Sequence, residues 1–418
     1  MSIGYACLTI GVASADFKTC IIKNATELKL LELIEYNLNS LENIIRYNIK
    51  NNIRLFRISS DLIPFGSNEV NNVPWWDIFE PKLLAIGKII KNSGMRVSMH
   101  PGQYTVLNSQ NPDVVSRAVC DLKYHTKVLD SLGVSGEHKI VLHIGGVYNE
   151  KENAIERFIT NYNKLEEGIK GRLVIENDDK SYNVSDVLKI SKVLNIPVIF
   201  DNLHNKLNLI TEENSETYWI EECRKTWKEK DGMQKIHYSQ QNPLKNPGSH
   251  SNTIMIDEFT SFYEKLINKD IDIMLEVKDK NLSAVKCINC IESKGNIKLI
   301  EIEWSKYKYT VLEKSPKAYM EIRKLLKNKG EYPAISFYKL LEEALQTEVT
   351  VGNAVNAAQH VWGYFKDIAS DKEKSKFLLN IEKFNEKEIS IKRIKNDLWK
   401  MAEKYNRVYL LDSYYFVI

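Results

Sequence analysis

Eight short apolar runs, each followed by a segment with helical periodicity, constrain the fold of this chain more than any other feature. Each run has the length and composition of a buried strand, and each following segment repeats its apolar residues about every 3.6 positions. Strand and helix alternate eight times over roughly 290 residues, which is typical of a parallel (β/α)8 TIM barrel. The predicted strands cover residues 3–7, 53–58, 95–99, 139–143, 172–176, 196–201, 235–238 and 271–277.

The segments between the runs predict amphipathic helices that pack around the strands. A doubly wound open sheet is the competing α/β fold, because periodicity alone does not separate the two. The number of repeats favours the closed barrel. The predicted helices cover residues 28–49, 78–91, 113–132, 152–169, 184–194, 217–230, 257–268 and 282–291.

Six consecutive predicted strands, from the third to the eighth, end at a side chain that can bind a metal ion. A lone strand-end histidine is more often structural, and a lone Asp or Glu is often a helix cap. Six such residues in register are not explained by chance, and parallel barrel strands bring their carboxyl ends to one mouth, where barrel active sites form. In chain order, the six residues are His100, His143, Glu176, Asp201, His237 and Glu276.

The donor atoms at these strand ends predict a site for several divalent cations. Three carboxylates in one mouth repel each other unless cations neutralise them. His204 and His250 lie just beyond strand ends and add two further imidazoles. Mixed imidazole and carboxylate ligands fit two or three ions of Mn2+, or of Zn2+, Mg2+ or Co2+, better than Ca2+. Such a site is typical of a multinuclear phosphoesterase.

Lys235 precedes His237 by two residues, so both side chains point to the same side of the seventh strand. A charged lysine beside a metal cluster is unfavourable. We therefore expect either a lowered pKa or a carbamylated side chain at Lys235, and we assign catalytic roles to Glu176, Lys235 and His237.

Composition narrows the class of protein. A net charge of +3 does not by itself indicate a nucleic-acid partner, and no apolar run is long enough to span a membrane. The first residues predict a strand rather than a signal peptide.

Six irregularly spaced cysteines fit a reducing compartment, so we expect a cytoplasmic protein. Cys287 and Cys290 predict a pair on one helix rather than a zinc site.

The first 290 or so residues also contain a series of short motifs: GYAC (4–7), FRISSDLIPFGSN (56–68), SMHPGQYTVLNS (98–109), VLHIGG (141–146), VIEND (174–178), IFDNLHN (199–205), KIHYSQ (235–240) and MLEVKDK (274–280). These motifs, in this order, resemble those of the bacterial and fungal UV damage endonucleases. The combination of GQY after His100 with DNLH at 201–204 makes the resemblance specific.

The resemblance implies a barrel akin to endonuclease IV. It also implies a manganese-dependent cut in damaged duplex DNA, immediately 5′ of cyclobutane dimers, 6-4 photoproducts and some abasic sites. We expect a monomer that uses no nucleotide cofactor and binds no membrane. The implied metal ligands are His100, His143, Glu176 (bridging), Asp201, His204, His237, His250 and Glu276.

The resemblance further implies four residues that contact the lesion or the DNA. Gln103 and Tyr104 would wedge into the duplex where damaged bases leave the stack, and Tyr5 would lie near the lesion. Asn68 occupies a position where many relatives have a histidine, a stronger metal ligand, and we group it with these residues.

The pattern changes after residue 295, so we predict a barrel domain at 1–295 and a small all-helical domain at 301–418, with helices at 315–326, 335–345, 352–368 and 398–406. Residues 301–418 contain 21 Lys and Arg against 17 Asp and Glu, whereas the first 300 contain 37 against 38. Segments 351–367 and 408–416 are similar to a helical domain of unknown function. His360, Trp362 and Tyr364 offer a nucleotide-stacking surface, but their helical spacing favours a place in the core. Added DNA contacts and a partner-binding or stabilising role both stay open.

Three functions compete. A damage-specific endonuclease, or an abasic-site nuclease like endonuclease IV, explains both the histidine-rich mouth and the GQY turn. A metal-dependent sugar isomerase on a related barrel usually has fewer histidines and no such turn. A non-enzymatic binding module leaves the strand-end ligands unexplained. The sequence favours the endonuclease.

Overall fold

The computed structural model describes residues 1–210, 214–291 and 295–418. Eight parallel strands form a closed barrel, in which each strand pairs with the next and β8 pairs with β1. This confirms the predicted barrel, and every strand lies within two residues of its predicted ends. The strands are β1 (Ile3–Ala6), β2 (Leu55–Ile58), β3 (Arg96–Met99), β4 (Ile140–His143), β5 (Leu173–Glu176), β6 (Val198–Asp201), β7 (Lys235–Tyr238) and β8 (Asp272–Leu275).

Helices alternate with these strands and cover the barrel with apolar side chains. Gly4 allows β1 to approach β2, because an added Cβ at this position would lie 1.9 Å from the carbonyl oxygen of Leu55. The helices are α1 (Glu27–Lys50), α2 (Trp75–Ile78), α3 (Glu80–Asn92), α4 (Pro112–Ser131), α5 (Lys151–Asn163), α6 (Glu167–Arg172), α7 (Val184–Leu194), α8 (Asn202–Leu207), α9 (Glu216–Arg224), α10 (Ile256–Lys265) and α11 (Asn281–Ile291).

Two of the predicted barrel helices differ from the structure for identifiable reasons. The segment predicted as one helix at 152–169 is divided into α5 and α6, because the chain turns at 164–166 and buries Leu165. The helix predicted at 217–230 ends early, at Arg224. The chain then leaves the helix so that Thr226 and Trp227 hydrogen-bond both backbone groups of Val198 at the start of β6.

The chain divides into two compact units. The first comprises Met1–Ile254 and Ser261–Ile288, and the second, which is helical, comprises Met255–Thr260 and Asn289–Ile418. Three of its helices, at 297–314, 371–385 and 408–411, were missed by the sequence prediction, and the first of them runs across the stretch where we placed the domain boundary. The helix predicted at 352–368 ends early, at Trp362, and the one predicted at 398–406 begins earlier, at Ile391. The helices are α12 (Ile297–Lys314), α13 (Pro316–Leu325), α14 (Ala334–Gln346), α15 (Val351–Trp362), α16 (Asp371–Asn385), α17 (Ile391–Lys404) and α18 (Val408–Leu411).

Trp362 and Tyr364 pack against the core of this second unit, as their spacing favoured. The Trp362 ring stacks on Phe377 with centroids 4.4 Å apart, and the hydroxyl of Tyr309 donates to that of Tyr364. His360 is exposed. None of the six cysteines forms a disulfide, and Cys287 and Cys290 both lie on α11.

Candidate metal centre

The carboxyl ends of the barrel strands bring the predicted ligands together at one mouth. His143, Glu176 and Asp201 are the last residues of β4, β5 and β6, and His100 and Glu276 directly follow β3 and β8. Adjacent strands keep these positions in register, with His143 opposite Glu176 and Asp201 opposite His237. Strand ends that are far apart in sequence therefore form one group of side chains.

Glu176 lies at the centre of this group and is fully buried. Its Oε1 atom lies 2.7 Å from His237 Nδ1 and 3.9 Å from His204 Nδ1. Its Oε2 atom lies 3.3 Å from His100 Nε2 and 3.8 Å from His143 Nε2. One carboxylate thus faces four imidazoles, from four different strand ends.

Glu276 forms a second carboxylate centre in the same mouth. Its Oε1 atom pairs with the guanidinium of Arg57 and lies 3.4 Å from His237 Nδ1. Its Oε2 atom lies 3.6 Å from His250 Nε2. His237 therefore lies between the two glutamates, and Arg57 is a site residue that the sequence analysis did not identify. A charged arginine within the short apolar strand β2 was the sequence feature that could have indicated this role.

The electrostatics of the mouth reflect burial among carboxylates. Burial alone lowers the pKa of His204, but Asp201 and Glu176 more than offset it and raise that pKa to about 9. Burial, reinforced by the neighbouring Glu176 charge, raises the pKa of Asp201 to about 6. Burial lowers the pKa of His143 to about 4, so this imidazole is neutral at pH 7, the form that binds metals.

Glu176 remains ionised in this setting. Burial by itself raises the pKa of Glu176. The nearby imidazoles of His237 and His100 lower it by more than burial raises it, so the pKa is held well below its ordinary value. At pH 7 the mouth therefore combines an ionised Glu176 with a neutral His143 and a protonated His204.

The donor atoms fit divalent cations. Within the described part of the chain, four buried polar atoms of the candidate ligands have no hydrogen-bond partner: Glu176 Oε2, Asp201 Oδ2, His143 Nδ1 and His237 Nε2. Unpaired buried polar atoms are costly, so groups of them in one place indicate a ligand. Among the described residues, His100, His143 and Glu176 form one set of ligand atoms within 4.8 Å of one another, and Glu176, Asp201 and His237 form another. Glu176 belongs to both sets.

Comparison with known proteins identifies the family of this chain. Residues 1–307 match the model of the UV-endonuclease UvdE family. The chain belongs to this family. It is 41% identical to the UV DNA damage endonuclease of Clostridium perfringens over 94% of this chain and 96% of that protein. It is 34% identical to the Bacillus cereus (strain Q1) protein of the same name, over 68% of this chain and 90% of that one.

A solved structure shows the same relationship. The crystal structure of SacUVDE covers 70% of this chain and 98% of its own, with 41% identity and a TM-score of 0.66. As a UvdE-family member, the chain is an endonuclease, and therefore a hydrolase, of UV-damage repair. The family thus selects the endonuclease over the sugar isomerase and the non-enzymatic binding module.

The C-terminal residues match a second family. Residues 308–418 match a family described as protein of unknown function (DUF1722), in agreement with the expected helical domain. None of the described helices is long and apolar enough to cross a membrane.

The turn that carries Gln103 and Tyr104 projects from the mouth of this UvdE-family barrel. Both side chains are exposed, and Tyr104 exposes 83% of its surface. The segment that follows is held firmly, since Arg157 Nε and Asn161 Nδ2 donate to the carbonyl oxygens of Asn108 and Leu107. The exposed pair therefore sits on an anchored loop.

The structure buries Tyr5 and exposes Asn68, and the contact with the lesion or the DNA expected of each stays a prediction. Tyr5 is fully buried, and its hydroxyl donates to Asn48 Oδ1 and lies 2.6 Å from Thr9 Oγ1. The Tyr5 side chain therefore lies inside the barrel and is not exposed. Asn68 is exposed, and its side chain accepts a hydrogen bond from the backbone of Val70, which closes a local turn.

Lys235 is buried inside the barrel below His237. Burial, together with the nearby charges of Arg96 and Arg57, holds its pKa well below the ordinary value. The geometry therefore agrees with a lysine whose charged form is disfavoured.

Proposed function

We propose that this chain cuts damaged duplex DNA immediately 5′ of cyclobutane dimers and 6-4 photoproducts, and at some abasic sites. The observation that carries the proposal is the buried Glu176 carboxylate, which has four imidazoles within 3.9 Å and lies in the same barrel mouth as the exposed Gln103–Tyr104 turn. The first feature suits phosphodiester hydrolysis, and the second suits recognition of a distorted duplex.

We infer that the mouth holds two or three divalent cations. Mn2+ is the first candidate. Zn2+ and Co2+ are alternatives that also accept imidazole ligands, and Mg2+ is the alternative that relies on the carboxylates. Bound cations neutralise the phosphate charge and lower the pKa of a nucleophilic water. The proposed ligands are His100, His143, Glu176, Asp201, His204, His237, His250 and Glu276.

The protein residues have distinct proposed roles. Glu176 belongs to both sets of ligand atoms, so it would bridge two cations. Arg57 balances the charge of Glu276 and orients that carboxylate towards His250. Lys235, with its charged form disfavoured by burial, does not oppose the cations. Carbamylation of Lys235 is the alternative, and an intact mass equal to that of the unmodified chain under mild conditions would remove it.

Gln103 and Tyr104 would occupy the space left when the damaged bases leave the stack. Extruding bases costs a few kcal/mol in an intact duplex and less at a damaged step, which gives one source of selectivity. An anchored loop loses little further freedom when it enters the duplex, so binding energy is not spent on ordering it.

Strand scission tests the proposal. A duplex with one cyclobutane dimer should be cut 5′ of the dimer with Mn2+ and left intact with EDTA, beside an undamaged duplex that is not cut. Glu176→Gln should lower the rate on the order of 10³-fold or more, because it removes a charge of the metal site and keeps its volume. Glu167→Gln, an exposed position on α6, is the matched control and should cut normally.

The outcomes separate the related activities. Cleavage at an abasic site but not at a dimer would assign the chain an activity like that of endonuclease IV. Metal binding without cleavage of either substrate would contradict the proposal, as would normal cleavage by Glu176→Gln.

A further inference from the structure

Asn177 directly follows Glu176, and its side-chain amide makes the same pair of hydrogen bonds that a backbone peptide group makes in a sheet. It is fully buried. Its amide nitrogen donates to the carbonyl oxygen of Asp201 at 3.1 Å, and its Oδ1 accepts from the N–H of Asp201 at 2.9 Å. The last backbone pair between β5 and β6 is Glu176 with Ile199, so this two-bond link continues the pairing beyond the sheet. We call this arrangement an asparagine clamp.

A second clamp lies one strand further on. Asn202 directly follows Asp201 and is buried. Its amide nitrogen donates to the carbonyl oxygen of Ser239 at 3.0 Å, and its Oδ1 accepts from the N–H of Ser239 at 2.8 Å. The last pair between β6 and β7 is Asp201 with His237, so this clamp also extends the pairing beyond the sheet.

The chemistry of the carboxamide explains why asparagine suits both positions. Its side chain has the donor and the acceptor of a peptide group, at the end of one short and stiff link. Aspartate lacks the donor, and leucine of similar shape lacks both. Each clamp therefore hydrogen-bonds the end of one strand to the end of the next strand, at the point where backbone pairing between the two strands stops.

The clamps join the three strand ends that carry one set of candidate ligands. Glu176, Asp201 and His237 have ligand atoms within 4.8 Å of one another. Asn177 links the first of these strands to the second, and Asn202 links the second to the third. The backbone carbonyl of Asn177 also lies 2.9 Å from His204 Nδ1, so the first clamp orients a further imidazole.

We propose that Asn177 and Asn202 are positioning residues that fix the separation of Glu176, Asp201 and His237, so that these side chains bind one cation together. The inference rests on the proposed metal-binding function. Groups that orient metal ligands typically change metal affinity by 10–100-fold when they are replaced. Neither asparagine needs to touch the cation for this effect.

The chain supplies a matched control in another clamp. Asn37, on α1, is fully buried; its side chain donates to the carbonyl oxygen of Lys18 at 2.9 Å and accepts from the N–H of Lys18 at 2.7 Å. It also donates to the carbonyl oxygen of Leu62. Asn37 has no hydrogen bond to any candidate ligand, so its loss removes at least as many bonds without loosening the metal site.

Mn2+ binding to the full chain tests the inference. Titration calorimetry, with the electron paramagnetic resonance signal of free Mn2+ as a second readout, would give Kd for the wild type, Asn177→Leu, Asn202→Leu and Asn37→Leu. We expect Kd to rise 10–100-fold for the first two variants and to stay within about twofold for Asn37→Leu. Urea unfolding of all three should show a loss of stability. Serine replaces leucine if a leucine variant does not fold.

Unchanged Kd in Asn177→Leu and Asn202→Leu would overturn the inference. An equal rise in Asn37→Leu would also overturn it, because general loosening would then explain the effect. Glu176→Gln is measured beside them. If the wild type binds Mn2+ no better than Glu176→Gln, the proposed function itself fails, and the inference fails with it.

Discussion

The two ends of the barrel treat buried charge in opposite ways. At the amino ends of the strands, Arg96 lies 3.1 Å from Asp272 and donates to the carbonyl oxygens of Glu137 and Asp231. Lys139, just before β4, pairs with Asp231 at 2.6 Å. Here the protein itself neutralises its charges.

At the carboxyl ends, imidazoles gather around the buried Glu176 carboxylate, and several polar atoms of these residues have no hydrogen-bond partner. This difference in how charged groups are paired distinguishes an end of the barrel that stabilises the fold from an end that carries the function. Charges that are paired within the protein stabilise the closed barrel. Charges that it leaves unsatisfied raise its free energy until a ligand arrives, and this is the arrangement expected of a barrel active site. Three experiments test this contrast.

Arg96→Met should lower the free energy of unfolding by about 3–5 kcal/mol, because it leaves Asp272 buried without its partner. Chemical denaturation measures the loss. The exposed ion pair of Arg46 with Glu42 is the control, and Arg46→Met should cost at most about 1 kcal/mol. Activity per folded molecule should not change in Arg46→Met, and it should fall far less in Arg96→Met than in Glu176→Gln. A large loss of activity at unchanged stability in Arg96→Met would erase the distinction between the two ends.

Mn2+ at 100 times its Kd should stabilise the wild type by about 2.7 kcal/mol relative to EDTA, since binding to the folded state alone has this effect. The same gain should appear in Arg96→Met, whose mouth is intact, and should be much smaller in Glu176→Gln. Thermal or urea unfolding with and without metal measures it. Equal stabilisation of Glu176→Gln would place the bound cation away from this mouth.

His138 provides the smallest test, at the stabilising end. Burial lowers its pKa to about 4, and its Nδ1 accepts a hydrogen bond from the N–H of Val97. The unfolded chain, with an ordinary pKa near 6.5, therefore takes up more protons between pH 6.5 and 4, so stability falls as the pH falls through that window. The expected cost between pH 7 and pH 5 is about 2 kcal/mol.

His138→Asn, which keeps an acceptor for Val97, should remove this part of the pH dependence in urea unfolding with EDTA. His360→Asn, at an exposed position, should leave it unchanged. An identical pH dependence in wild type and His138→Asn would show that burial does not perturb this imidazole.

The sequence predicted the features that depend on local patterns. Helix α7 begins and ends where predicted, because Asn183 and Asp186 form a capping box and Asn195 takes a left-handed conformation at its end. Six candidate ligands were found because they end consecutive strands. Their roles as ligands stay predictions.

Other features depend on partners that are distant in sequence. Asn177 and Asn202 resemble ordinary loop asparagines until Asp201 and Ser239 are placed beside them, 24 and 37 residues away. The burial of Tyr5 could not be predicted, because the direction of a barrel side chain depends on the register between strands, which no single strand reveals. Helix α9 ends early because of hydrogen bonds to β6, and no local signal records those.

The closure of the barrel between β1 and β8 has a consequence for the timing of biosynthesis. Strand β1 pairs with β8 through Ile3, Gly4 and Tyr5, which lie opposite Ile273, Met274 and Leu275. The first strand to be synthesised therefore cannot complete its pairing until the last strand has been made. At roughly 5–20 residues per second, the ribosome needs roughly 15–55 s to supply that partner. Throughout this interval one edge of β1 has no native strand to pair with, and the nascent barrel is most exposed to misassembly with neighbouring chains.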